Sequence, residues 1–126
     1  MGTMFAIAIG GGVGSMARYG LTLWCESLFG REFPYGIFLA NVLGSFAIGV
    51  IFVLLMERSV LPELWRPLLM VGFLGGFTTF STFSLQTVGM LQDGRLLEAA
   101  AYVLGSVLLS ILGAWLGIVL ARLISS

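Results

Sequence analysis

Gly72-Phe73-Leu74-Gly75-Gly76-Phe77-Thr78-Thr79-Phe80-Ser81-Thr82-Phe83-Ser84 is the stretch on which the fold turns. Paired glycines followed by threonines and serines make a poor helix: glycine gives up the most backbone freedom, and the hydroxyl side chains compete for backbone groups. Yet this stretch lies in the middle of an uncharged run of 26 residues, 67–92. A helix needs roughly 20 apolar residues to cross the hydrocarbon core of a bilayer. The run is long enough, and its weakest part would fall near the midplane. Non-helical backbone survives at that depth only inside protein or against a polar cavity. The pattern therefore predicts a membrane helix broken at its centre. The freed carbonyls would suit a cation, and the N–H end of the following half-helix would suit an anion. A kinked but continuous helix, its hydroxyls bonded back to their own turn, is the alternative.

Elsewhere the charges fall in clusters that leave further uncharged runs at 33–56 (24 residues) and 99–121 (23 residues). A first apolar segment at about 4–29 is interrupted only by Arg18 and Glu26. Four segments of this kind are too few to close a barrel, so helices are expected. The composition agrees, with 59% hydrophobic and 10% charged residues in 126 and a mean hydropathy of +1.08. A soluble domain carries about 25% charged residues. The expected fold class is an all-α membrane protein, a single four-helix transmembrane domain over residues 1–126.

The same numbers exclude several functions. Six arginines balance six carboxylates, which leaves no basic face for nucleic acid. Cys25 is the one cysteine and histidine is absent, so an intrachain disulfide, a Cys/His metal site and a His-based triad are all excluded. No nucleophile–base pair is visible, so neither an enzyme nor an organic cofactor is expected. The first segment is not read as a signal peptide, because it lacks a basic start and Arg18 sits where the apolar core should continue. Trp24, Trp65 and Trp115 lie toward span ends or in a loop, where membrane-interface anchoring is expected.

With four spans, one side of the membrane carries Arg58, Arg66 and Arg122, and the other carries Arg31 and Arg95, with Arg18 if it snorkels that way. An excess of cationic residues orients membrane proteins, and here there is none. Insertion in both orientations is expected, which would allow an antiparallel dimer. Glycine numbers 18 and recurs at helical spacing in Gly10/Gly14, Gly72/Gly76 and Gly113/Gly117, with Ser45/Gly49 as a relative. Such faces let helix backbones approach closely in lipid. The run from Gly10 to Ser15 is no phosphate loop, since no Lys-Ser/Thr follows and no strand precedes it.

Several polar groups lie at depth. Asn41 sits near the middle of the second segment, where an unpaired carboxamide is costly. It serves either a helix–helix hydrogen bond or a ligand. Tyr102, Ser106 and Ser110 recur every four residues and form one hydroxyl-bearing stripe. Phe80 and Phe83, at i, i+3, share a face beside Thr79 and Thr82, and an aromatic edge can face an anion. Arg18 is the one full charge well inside a span, a functional candidate by default. No carboxylate lies mid-membrane, so proton-coupled transport lacks its titratable group. Donors without carboxylates point to a passive route for a small anion.

Three motifs carry a resemblance over the whole chain. They are Gly-Gly-x-Gly-Ser-x-x-Arg-Tyr (Gly11 to Tyr19), Gly-x-x-x-Ala-Asn-x-x-Gly-Ser (Gly36 to Ser45), and the stretch from Gly72 to Ser84. With these the sequence resembles the small fluoride channels of the Fluc (CrcB) family. The resemblance implies a fluoride-selective passive channel in the bacterial cytoplasmic (inner) membrane, in contact with membrane lipid, that exports fluoride and lowers its toxicity. It also implies an antiparallel dual-topology homodimer with two pores. A structural sodium ion would be held where the broken helices cross, by backbone carbonyls of Gly75 and Thr78 from each subunit. By position, Phe80 and Phe83 would line the fluoride path, Asn41 would donate to the ion, and Tyr102, Ser106 and Ser110 would continue the track, with Thr79 and Thr82 beside it. Arg18 matches a basic residue near the pore mouth, and Gln86, one turn past the phenylalanines, is a further polar candidate. The rival reading is a small multidrug-type proton-coupled exporter of similar size. Its chemistry needs a carboxylate in the middle of the first helix, where this chain has glycines and Arg18.

Overall fold

The computed structural model describes residues 1–125. Its helices are α1 (Gly2–Phe29), α2 (Tyr35–Phe52), α3 (Leu74–Phe77), α4 (Phe80–Gln92) and α5 (Leu96–Ser125), and no strand occurs among the described residues. A π-helical stretch, Val53–Glu57, prolongs α2, and a second, Pro67–Phe73, leads into α3. Pro67 opens the latter at its first position, where a missing N–H costs nothing. Neither π-helical stretch is foreshadowed by the apolar pattern, which sets length but not the hydrogen-bond register.

Three helical segments are long and apolar enough to cross a membrane: Tyr35–Glu57, Pro67–Gln92 and Leu96–Ser125. The protein is thus an all-helical membrane protein. α1 has 28 residues, which is length enough, but its glycines and Arg18 dilute its apolar character and it falls outside that set. It packs along the π-helical stretch Pro67–Phe73 and α3, while α2 packs along α5. Glycines with positive φ follow two helices: Gly30 (φ 83°) after α1, and Gly94 (φ 77°) after α4. After α4 the amide of Gly94 bonds the Leu91 carbonyl and that of Arg95 bonds the Met90 carbonyl, which together close the helix in a Schellman turn.

The charges collect at two ends. At one end Arg122 donates to both carboxylate oxygens of Glu57 (2.9 and 2.6 Å), and Arg58 Nε donates to Ser125 Oγ (3.0 Å). At the other, Arg31 pairs with Glu26 (3.4 Å), and Arg95 bonds Glu98 and the Glu32 carbonyl. The hydrogen bond to Glu98 raises the Arg95 guanidinium above the usual arginine pKa. These exposed pairs contribute little to stability, because water screens them.

Glycine decides how close the helices come. A Cβ added at Gly14 would lie 3.0 Å from the Phe77 nitrogen, and one at Gly76 would lie 2.5 Å from the Gly11 carbonyl oxygen. On the other seam, a Cβ at Gly117 would lie 3.1 Å from the Val50 nitrogen. The spaced glycines of the sequence are thus the two seams of the bundle, α1 against the segment from Pro67 through α3, and α2 against α5. Replacing Gly117 by Ala is expected to destabilise the protein by about 1–3 kcal/mol, since the neighbouring backbone cannot give way. Gly12, whose added Cβ would meet nothing within 4 Å, serves as the control. There alanine gains about 1 kcal/mol of helix propensity. Thermal unfolding in detergent micelles checks the contrast.

Candidate functional site

The interruption falls where the residue types place it. α3 ends at Phe77, Thr78 (φ −93°, ψ 157°) and Thr79 (φ −153°, ψ 125°) are extended, and α4 begins at Phe80. Thr78–Thr79 is the middle of the 26-residue segment Pro67–Gln92. Its backbone polar groups are met from several directions. The Thr78 amide and hydroxyl both donate to the Leu74 carbonyl, at 3.0 and 2.9 Å. Thr79 caps α4, its Oγ1 accepting from the Thr82 amide at 3.3 Å and donating to Thr82 Oγ1 at 3.3 Å. Asn41, from α2, donates through Nδ2 to the Thr79 carbonyl (3.1 Å) and accepts the Thr79 amide on Oδ1 (2.8 Å). Arg18 Nη1 reaches the Thr78 carbonyl at 3.5 Å. Arg18 therefore stands at the break itself and lines neither of the cavities described below.

Against the break lies a cavity of about 350 Å³. Of the residues singled out in the sequence it gathers Asn41, Gly75, Thr78, Thr79, Phe80, Phe83, Ser106 and Ser110. Tyr102 and Thr82 are absent from its wall. Thr82 is turned to the Thr79 cap, and Tyr102 is fully buried beyond the cavity, its hydroxyl donating to Gln86 Oε1 at 2.6 Å. Phe83 joins these layers, its ring centroid 5.6 Å from that of Phe80 and 5.0 Å from that of Tyr102. The two phenylalanines are unequal, Phe80 being 77% exposed and Phe83 8%. Among the described residues the cavity wall holds amide, hydroxyl and apolar groups and no carboxylate. Ser106 is 5% exposed, and its Oγ has no hydrogen-bond partner. A buried hydroxyl left unpaired costs free energy, so this one is set for a ligand or water to complete.

Ser45 and Met70 also line the cavity and escaped the sequence reading as site residues. Ser45 could have been found, because it follows Asn41 by four residues and shares its helix face. Met70 carries no such signal. A second cavity, of about 230 Å³, opens at the end holding the α1–α2 loop and mixes Arg31 and Arg95 with Glu26, Glu32 and Asp93. Gln86 lines it and, through its bond to Tyr102, stands between the two cavities.

The family described as CrcB-like protein, Camphor Resistance (CrcB), matches residues 5–118. The chain belongs to the CrcB-like family. A relative named fluoride-specific ion channel FluC in Magnetococcus marinus is 48% identical over 94% of this chain and 96% of its own length. Relatives of the same name in Geobacter metallireducens (47% identical, 95% of this chain, 97% of theirs) and Geotalea uraniireducens (46%, 97% and 98%) are similarly close. The family consists of transporters rather than enzymes, and this chain, with several apolar helices, is a multi-pass protein of the bacterial inner membrane.

The Tyr102–Gln86 bond can be weighed directly. Tyr102→Phe leaves Gln86 Oε1 without its donor and is expected to cost about 1–2 kcal/mol of stability. In combination with Gln86→Leu the loss should be smaller than the sum of the single changes, because the pair shares one interaction. A double-mutant cycle of thermal unfolding reads this.

Proposed function

We propose that the chain is a passive, fluoride-selective channel that exports fluoride from the cytoplasm and so lowers its toxicity. The observation that carries this reading is the cavity at the helix break, walled by Asn41, Ser106, Ser110 and the Phe80–Phe83 pair without a carboxylate. The relatives' names support it. Fluoride is small and strongly hydrated, so its water must be replaced by several closely placed donors. Neutral donors can do this without trapping the ion, a balance that conduction needs. A passive route follows the gradient, and export is the direction that relieves a cell holding excess fluoride.

In this reading all four long helical segments span the membrane as one domain. α1 does so by turning its glycines into a packing seam and its Arg18 toward the Thr78 carbonyl. The exposure of Phe80 supports a second, antiparallel copy covering that side, and the balanced arginines support insertion both ways. The Thr79 hydroxyl flanks the path, Thr82 and Tyr102 stand behind its wall, and Arg18 attracts anions toward it.

The proposal includes a sodium ion held by the carbonyls of Gly75 and Thr78 from each copy. The donors are neutral, hard oxygens, and Gly75 faces open space in which an added Cβ would meet nothing within 4 Å, but Arg18 Nη1 stands 3.5 Å from the Thr78 carbonyl and would have to turn aside for that oxygen to hold the ion. Among the described residues no group of three His, Cys, Asp or Glu exists to hold a metal instead. When bound, the ion would supply a fixed positive charge tying two helix breaks together.

Proteoliposomes holding the purified protein should release fluoride rapidly while retaining chloride. Phe80→Met is expected to lower fluoride efflux by roughly tenfold or more, about 1.4 kcal/mol on the barrier, at unchanged thermal stability. Equal loss of fluoride and chloride, or no fluoride release from folded protein, would sink the channel reading.

A further inference from the structure

We infer that Asn41 is the positioning residue of the helix break, locking Thr79 in its extended conformation by bonding both of its backbone groups. An extended residue presents its own N–H and C=O on the same side, which is how one strand offers both groups to its neighbour. Thr79, at φ −153° and ψ 125°, does this. Facing it, the carboxamide of Asn41 supplies one acceptor at 2.8 Å and one donor at 3.1 Å, closing a two-bond ring in the place of a partner strand. A primary amide carries both groups at that separation without needing to be protonated. An aspartate lacks the donor when ionised, and a serine has too short a reach to meet both. The pairing also settles the rotamer: Oδ1 must face the Thr79 amide, so the amide cannot flip.

Gly44, one turn further along α2, makes the ring reachable, because the Thr78 methyl occupies the space where a side chain at Gly44 would begin. α2 thus holds the break twice, by space at Gly44 and by hydrogen bonds at Asn41. One Nδ2 hydrogen remains free, and Asn41 lines the cavity beside Thr79 and Phe80. The lock therefore has a consequence for the site. It aims the free N–H of Asn41, and it sets where α4 starts and with it where Phe80 and Phe83 point.

The test rests on amide exchange in fluoride-free nanodiscs, so it stands apart from whether the chain conducts. Threonine-selective 15N labelling, with Thr79 assigned by Thr79→Ser, reports this amide beside that of Thr87 on the same helix. In Asn41→Ala the Thr79 amide should exchange at least tenfold faster than in the native protein, with Thr87 unchanged. Native exchange at Thr79 in that variant overturns the lock even if fluoride efflux is lost, since that is what an ion donor alone would give. Should Asn41→Ala fail to fold, Asn41→Leu decides the matter, because leucine fills similar space without either polar group. There too the Thr79 amide should exchange at least tenfold faster with Thr87 unchanged, and native exchange at Thr79 in folded Asn41→Leu protein overturns the proposal.

Discussion

In a membrane, every backbone N–H and C=O must find its partner within the protein, and the extended pair Thr78–Thr79 breaks that ladder in the middle of a spanning segment. The rest of the structure can be understood as the answer to this interruption. Leu74 closes the end of α3 by accepting from both the amide and the hydroxyl of Thr78. Thr79 begins α4 as its cap, and Asn41 takes both backbone groups of Thr79 from across the bundle. Each of these bonds contributes only about 1 kcal/mol on balance, but leaving one unmade at this depth costs more. The break is therefore placed by its own weakness as helix and held by its neighbours.

The seams serve the same end. α1 can approach the broken segment because Gly10, Gly14, Gly72 and Gly76 put backbone against backbone. Only at that distance does Arg18 come within reach of the Thr78 carbonyl. On the opposite flank, Gly49 and Gly117 bring α5 onto α2, which carries Asn41 and Gly44 to the break and Ser106 and Ser110 to the cavity. Packing, polar satisfaction and cavity are one arrangement, and the small residues are what allow all of it.

Chemically, the cavity differs from a proton-coupled site in what its wall omits. Its polar groups are hydroxyls and one carboxamide, none of which titrates near neutrality. Charge is kept to the ends of the bundle, in the Glu57–Arg122 pair at one end and the Arg95–Glu98 pair at the other. Arg18 is the exception, and its position against a freed carbonyl suits a guanidinium that must stay hydrogen-bonded in a dry setting.

Much of this was legible in the residues themselves. The uncharged runs place the helices to within a few residues, because the thickness of the hydrocarbon core sets a length that composition must satisfy. The glycine pairs name the seams, and Gly75-Gly76 with Thr78-Thr79 names the break, because local propensity and depth both act on short stretches of chain. What lies across the bundle was not legible. That Asn41 would spend its carboxamide on Thr79, that Tyr102 would turn from the cavity to Gln86, and that Arg18 would stand at the break depends on how far α2, α5 and α1 slide and rotate against the broken segment. Helical periodicity tells which residues share a face, but not the height at which two faces meet. That height is decided by the seams, through close packing of whole helices, and so it belongs to the tertiary structure alone.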